Sequence, residues 1–215
     1  MGDGVVKALD LSLYVISGQC FTPDRELLRL MEEALVGGAT VIQLREKNMT
    51  VREMVEVGAK LQELARQHGA TFIINDHVDV ALAVDADGVH LGQDDLPVSK
   101  ARAILGPKKI IGLSTHSLEQ ALAASSLPLD YLGVGPVFTT PTKPDARPVG
   151  LELLTKVSRQ LTVPFVAIGG IEEINLEQVL AAGAKNVAVI RAVVAADDVT
   201  GAARRLKARI TAKTA

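Results

Sequence analysis

Short apolar runs recur along the chain, separated by stretches in which apolar residues return every three or four positions. The runs cover residues 13–16, 40–44, 71–74, 88–91, 109–113, 131–134, 165–168 and 186–190. Within each run the apolar residues are continuous rather than alternating. That pattern belongs to strands covered on both faces, and therefore to a parallel sheet. Between the runs lie helices with readable ends. Thr22 followed by Pro23 predicts one helix start, and Thr50 with Glu53 predicts a capping box opening a second helix that Gly69 closes. In that second helix Val51, Met54, Val55, Gly58, Leu61, Leu64 and Ala65 form one apolar stripe for packing on the sheet. Gly37-Gly38, Gly69 and Gly183 stand just before strands, where a left-handed helix cap is needed.

About eight strand and helix units in 215 residues fit a closed (β/α)8 TIM barrel better than an open doubly wound sheet. No Gly-x-Gly-x-x-Gly follows the first strand, which argues against a dinucleotide fold. No linker or low-complexity segment divides the chain, so residues 1–215 are expected to form one barrel domain.

Composition narrows the partners. The net charge is −2, with two Tyr, four Phe and no Trp, so neither electrostatics nor base stacking favours nucleic acid. No apolar run is long enough for a membrane span, and the start lacks the pattern of a secretory leader. The single cysteine, Cys20, cannot form an internal disulfide and reads as a residue without a chemical role. A cytoplasmic protein is expected, and apolar exposed helix faces are compatible with a homo-oligomer.

In a barrel of this kind chemistry gathers at the C-terminal ends of the strands. There the second strand delivers Gln43, Arg45 and Lys47, the third Asn75 and Asp76, the fourth His90, Gln93, Asp94 and Asp95, and the fifth Ser114 and His116. After the sixth strand comes a loop, 135–148, with four prolines and Lys143, long enough to act as a lid or to stand as a static surface loop. The seventh strand ends in Gly169-Gly170 and the eighth in Ile190-Arg191. Asp76 could cap the following helix, and Asp94-Asp95 could be a turn before Pro97. Two carboxylates on adjacent strand ends, facing the cations of the second strand, are better explained by a hard metal ion, for which magnesium is the choice. His90 reads as a hydrogen-bonded core residue and is assigned no chemistry. The paired glycines let backbone N–H groups approach a phosphate. Two anion positions follow, one with Arg45, Lys47, Lys143 and metal, the other near Gly170 and Ile190, and so two phosphorylated small-molecule substrates.

Several segments carry a family resemblance: Gln-Leu-Arg-Glu-Lys at 43–47, Ile-Ile-Asn-Asp-His-Val-Asp-Val-Ala-Leu-Ala at 73–83, Ala-Asp-Gly-Val-His-Leu-Gly-Gln-Asp-Asp-Leu-Pro at 86–97, Ile-Gly-Leu-Ser-Thr-His-Ser at 111–117, Asp-Tyr-Leu-Gly-Val-Gly-Pro-Val-Phe at 130–138, Thr-Lys-Pro-Asp at 142–145 and Val-Ala-Ile-Gly-Gly-Ile at 166–171. In that order, over nearly the whole chain, they resemble the thiamine-phosphate synthase family. The resemblance implies a barrel transferase that joins hydroxymethylpyrimidine diphosphate to hydroxyethylthiazole phosphate with magnesium. Carried onto matching positions, it makes Asp76 and Asp95 the metal ligands. It sets Gln43, Leu44, Arg45, Glu46, Lys47, Asn75, Ser114 and Lys143 on the pyrimidine diphosphate, with Arg45, Lys47, Ser114 and Lys143 catalytic. Thr140, Pro141, Thr142, Gly170, Ile190 and Arg191 fall at the thiazole phosphate. Arg191 stands where the family more often has Ser. The alternatives are a related thiazole tautomerase, with His116 as its focus, and a regulatory barrel that binds thiazole phosphate.

Overall fold

The computed structural model describes residues 9–18, 26–142 and 146–214. The helix start expected at Thr22-Pro23, together with Cys20 and Lys143, lies outside the described residues. Eight parallel strands close into a barrel in sequence order: β1 (Leu13–Ile16), β2 (Val41–Leu44), β3 (Thr71–Asn75), β4 (Gly88–Leu91), β5 (Ile110–Thr115), β6 (Tyr131–Val134), β7 (Phe165–Ile168) and β8 (Val187–Val189), with β8 pairing back onto β1. The connecting helices are α1 (Leu27–Val36), α2 (Val51–Gln67), α3 (Val78–Ala83), α4 (Val98–Leu105), α5 (Leu118–Ala124), α6 (Gly150–Gln160) and α7 (Leu176–Ala181). After β8 come a single turn, α8 (Arg191–Val194), and the closing helix α9 (Val199–Thr214).

Side chains on a strand alternate faces, and the barrel sorts them into two separate cores. Outward residues such as Leu13, Val15, Ile42, Leu44, Phe72, Ile74 and Val89 meet the helices. Inward residues, among them Tyr14, Ile16, Val41, Ile73, Tyr131, Val166 and Ala188, fill the barrel itself. The capping box of α2 forms as the sequence predicts. Glu53 N donates to Thr50 Oγ1 at 3.3 Å, and Thr50 N donates to Glu53 Oε2 at 2.7 Å. Met54, Gly58, Leu61 and Ala65 bury the helix face, whereas Val51, at the first position, is half exposed, and Gln62 joins the buried side. Gly38, Gly69 and Gly183 adopt φ of 103°, 63° and 100° at the helix-to-strand junctions.

At the N-terminal ends of the strands, opposite the cavity described below, Arg102 of α4 ties three segments together. Its guanidinium donates to the carbonyls of Pro128 at 3.0 Å, Gly106 at 3.0 Å and Lys109 at 2.5 Å, and to Asp130 at 2.7 Å. Asp130 in turn accepts from Ile111 N at 2.7 Å, which fixes the entry of β5. Removing the donor orphans several acceptors at once. Arg102→Leu is therefore expected to lower the unfolding free energy by about 2–3 kcal/mol, read from the denaturant midpoint, without changing the activity of the folded fraction. A midpoint like that of the unaltered protein would show that the cluster is not stabilising.

Candidate functional site

The inward side chains end in a cavity of about 900 Å³ at the C-terminal rim of the barrel. Gln43, Arg45, Lys47, Asn75, Asp76, Asp95, Ser114, Thr140, Pro141, Thr142, Gly170, Ile190 and Arg191 all line it. The segment 43–47 does not act as a block. Leu44, next to Gln43, points the other way and is buried among the helices, so its side chain cannot meet a ligand in the cavity. The reason is the two-residue period of the strand. Glu46, one residue past Arg45, is half-buried and outside the lining. Leu44 is thereby corrected as a side-chain contact.

Asp76 does not cap α3. The cap position is His77, and no side chain bonds the first helical amides. Asp76 instead occupies left-handed backbone at φ 63°, a conformation that Asp tolerates better than most residues, with its N–H donating to the His90 carbonyl at 2.9 Å. That turn sets its carboxyl on the cavity beside that of Asp95. Asp95 also accepts from Gly92 N at 2.6 Å, so it serves its own turn and faces the cavity at once. Burial, then the hydrogen bond and charge of Asp95, push Asp76 up to about 6, while Arg45 and His77 pull the other way. Burial and a neighbouring carboxylate make the ionised form of Asp76 costly, and a cation beside the pair would offset that cost.

Oxygen is the only donor type in this pair, and among the described residues no group of three or more His, Cys, Asp or Glu side chains gathers to cage a metal. One or two carboxylates, completed by water and substrate phosphate, are what magnesium accepts. The residues fit such an ion and would not form a closed zinc site.

The raised Asp76 has a measurable sign. Its folded value lies above the unfolded one, so its contribution to stability is fully present below about pH 4 and is lost as pH rises through about 6. The group is partly solvated, which reduces the loss to about 1 kcal/mol. Urea titrations at the two ends of this window, set against Asp76→Asn, should show that difference in the metal-free protein. A divalent cation should reverse it, since it needs both carboxylates ionised. Equal pH profiles for the two proteins would refute the raised Asp76.

The cavity floor carries residues that sequence reading did not single out. Gln43 Nε2 donates to Tyr14 Oη at 2.6 Å, and the Tyr14 and Tyr131 hydroxyls are 2.9 Å apart. Tyr131 Oη lies 3.0 Å from His90 Nδ1, and His90 Nε2 lies 2.9 Å from Ser114 Oγ. His90 is hydrogen-bonded through both ring nitrogens, as expected of a core histidine, but it also lines the cavity. Burial raises both tyrosine hydroxyls well above their ordinary range, so they act as neutral hydrogen-bonding groups. Room for this cluster comes from Gly112, where a Cβ would collide with the Tyr131 ring and the His90 imidazole. Period-two register along β1 and β6 was the signal that could have found the tyrosines.

The loop 135–148 is rooted at both ends. Val137 N donates to Ile168 O at 2.9 Å, Phe138 N to Gly169 O at 3.0 Å, and Val149 N to Pro136 O at 2.8 Å. Pro136 to Phe138 and Val149 are thereby held against the barrel. Gly169 and Gly170 take φ of 101° and 64°, and a side chain on Gly170 would meet the Thr139 carbonyl at 2.6 Å. His116 donates from Nδ1 to the Gly135 carbonyl at 2.5 Å.

Known proteins resemble this chain in sequence and in fold. A family profile described as Thiamine monophosphate synthase matches residues 13–193. The chain is 50% identical over 208 residues to the thiamine-phosphate synthase of Chloroflexus aurantiacus, covering 96% of each chain. It is 52% identical over 193 residues to that of Halalkalibacterium halodurans, covering 89% of this chain and 92% of the relative. Among solved structures, thiamine phosphate pyrophosphorylase from Pyrococcus furiosus superposes with a TM-score of 0.88 at 46% identity, covering 95% of this chain and 98% of that one. With barrel, rim carboxylates and rim cations in the same order as the sequence motifs, the chain belongs to the thiamine monophosphate synthase family.

Proposed function

We propose that this chain is a thiamine-phosphate synthase, a cytoplasmic transferase that joins hydroxymethylpyrimidine diphosphate to hydroxyethylthiazole phosphate and releases pyrophosphate. The observation that carries the reading is the meeting of Arg45 and Lys47 with the Asp76–Asp95 pair on the rim of one cavity. Its volume of about 900 Å³ is near the top of the roughly 300–1,000 Å³ usual for a single ligand, so two small substrates can lie side by side. No helix among the described residues is long and apolar enough to cross a membrane.

The chemistry asks for leaving-group stabilisation above all. When the carbon–oxygen bond to diphosphate breaks, negative charge grows on the departing group, and the electron-rich aminopyrimidine spreads the positive charge left on its methylene carbon. Arg45 and Lys47 hold the diphosphate oxygens as that charge develops, and the family resemblance gives Lys143 the same role. Asp76 and Asp95 would hold magnesium, which when bound supplies further positive charge to the diphosphate. Asn75 and Ser114 orient the pyrimidine end. On the far side, Thr140, Thr142, Gly170, Ile190 and Arg191 receive the thiazole phosphate, and the thiazole nitrogen forms the new bond with no proton to lose. A general base is not required, which accounts for a site with no triad of Ser, His and Asp. A tautomerase would have no use for the paired carboxylates.

Pyrophosphate release tests the reading. It should require both substrates and magnesium together. Release from the diphosphate alone at the same rate, or none with all three present, would overturn it.

A further inference from the structure

The buried links between Gln43 and Ser114, formed by Tyr14, Tyr131 and His90, have no part in the reaction as described so far. We propose that they form a hydrogen-bond relay of fixed polarity in which Tyr14, Tyr131 and His90 are positioning residues: they lock the Gln43 amide and the Ser114 hydroxyl so that the cavity selects an amino-substituted heteroaromatic ring over its oxo counterpart. The inference rests on the pyrimidine substrate of the proposed reaction and deepens it.

One amide sets the whole direction. With Gln43 Nε2 donating to Tyr14, the Tyr14 hydroxyl has a hydrogen to place, and Tyr131 Oη is the acceptor within reach among the described residues. Tyr131, having accepted, sends its own hydrogen to Nδ1 of His90. Nδ1 is then an acceptor, the neutral ring keeps its hydrogen on Nε2, and that hydrogen goes to Ser114 Oγ. The serine hydrogen is left for the cavity, as is the Gln43 carbonyl oxygen, and both residues line it. Reversing the direction requires all five groups to turn together, or else leaves a buried hydroxyl without a partner.

A lone glutamine cannot tell an amino group from an oxo group, because its amide flips to suit either. A glutamine whose Nε2 is committed to Tyr14 cannot flip. It offers a carbonyl to a ring amine, and it meets a ring carbonyl with acceptor against acceptor. Tyr14 and Tyr131 are buried in the barrel core, with ring centroids 6.0 Å apart, so the lock is held by packing as well as by hydrogen bonds.

The first test reads the tautomer of His90 by ¹⁵N NMR of histidine-labelled protein, with His90→Gln to assign the signals. Nε2 should be protonated and Nδ1 bare, and Tyr131→Phe should abolish that preference. Protonated Nδ1 in the unaltered protein would overturn the proposal, and this readout needs no turnover. The second test compares the aminopyrimidine diphosphate with its oxo analogue as competing ligands. Tyr14→Phe should narrow the preference about tenfold, the worth of one hydrogen bond, and leave KM for the thiazole phosphate unchanged. A preference unchanged in both Tyr14→Phe and Tyr131→Phe would also overturn it. A protein that releases no pyrophosphate counts against the proposed reaction alone, because the histidine spectrum judges the relay separately.

Discussion

Asp76→Asn is expected to lower turnover at least a hundredfold while leaving the protein as stable as before, or more so. Asparagine keeps the side-chain shape and accepts the left-handed backbone at φ 63° that alanine would strain. It removes the charge that burial and Asp95 already disfavour. Folding therefore loses nothing, whereas a magnesium ion held as proposed would lose one of its two protein ligands, and preorganised charge of this kind is worth roughly a hundredfold to a thousandfold in rate. Magnesium titrations of pyrophosphate release provide the check. Near-normal turnover at ordinary magnesium would sink the metal role of the pair.

Arg45→Met should cost a similar factor, roughly a hundredfold to a thousandfold in single-turnover pyrophosphate release, for a different reason. The residue sits just past the end of β2, where its backbone N–H is pinned by Ser17 Oγ at 2.9 Å, so the guanidinium enters the rim from a fixed base. It is the largest influence holding the Asp76 carboxyl down, and without it Asp76 should rise further. The variant should then need a higher pH as well as more magnesium. Arg45→Lys should restore only part of the rate, since an ammonium cannot clasp two phosphate oxygens at once. A loss below tenfold in Arg45→Met would remove it from the leaving-group set.

Much of this was legible before any coordinates. Strands β1, β4, β6 and β7 begin and end where their apolar runs do, because a strand covered on both faces has no polar position to blur its limits. Asp76 and Asp95 stood out as carboxylates on adjacent strand ends facing the cations of the second strand, and both side chains line the cavity. What stayed hidden was the inner face. Continuous apolar runs conceal which residues point inward, so Tyr14 and Tyr131 read as ordinary strand members, and Leu44 was grouped with its neighbours although it faces the helices. The left-handed turn at Asp76 was equally invisible, since an Asp before a helix ordinarily caps it.

The Arg102 cluster and the cavity occupy opposite ends of the same strands. Heat tolerance can thus be tuned at one end of the molecule, and ligand preference at the other, with little interference between the two. A directed-evolution library could draw on both regions in parallel and combine the winners by simple addition.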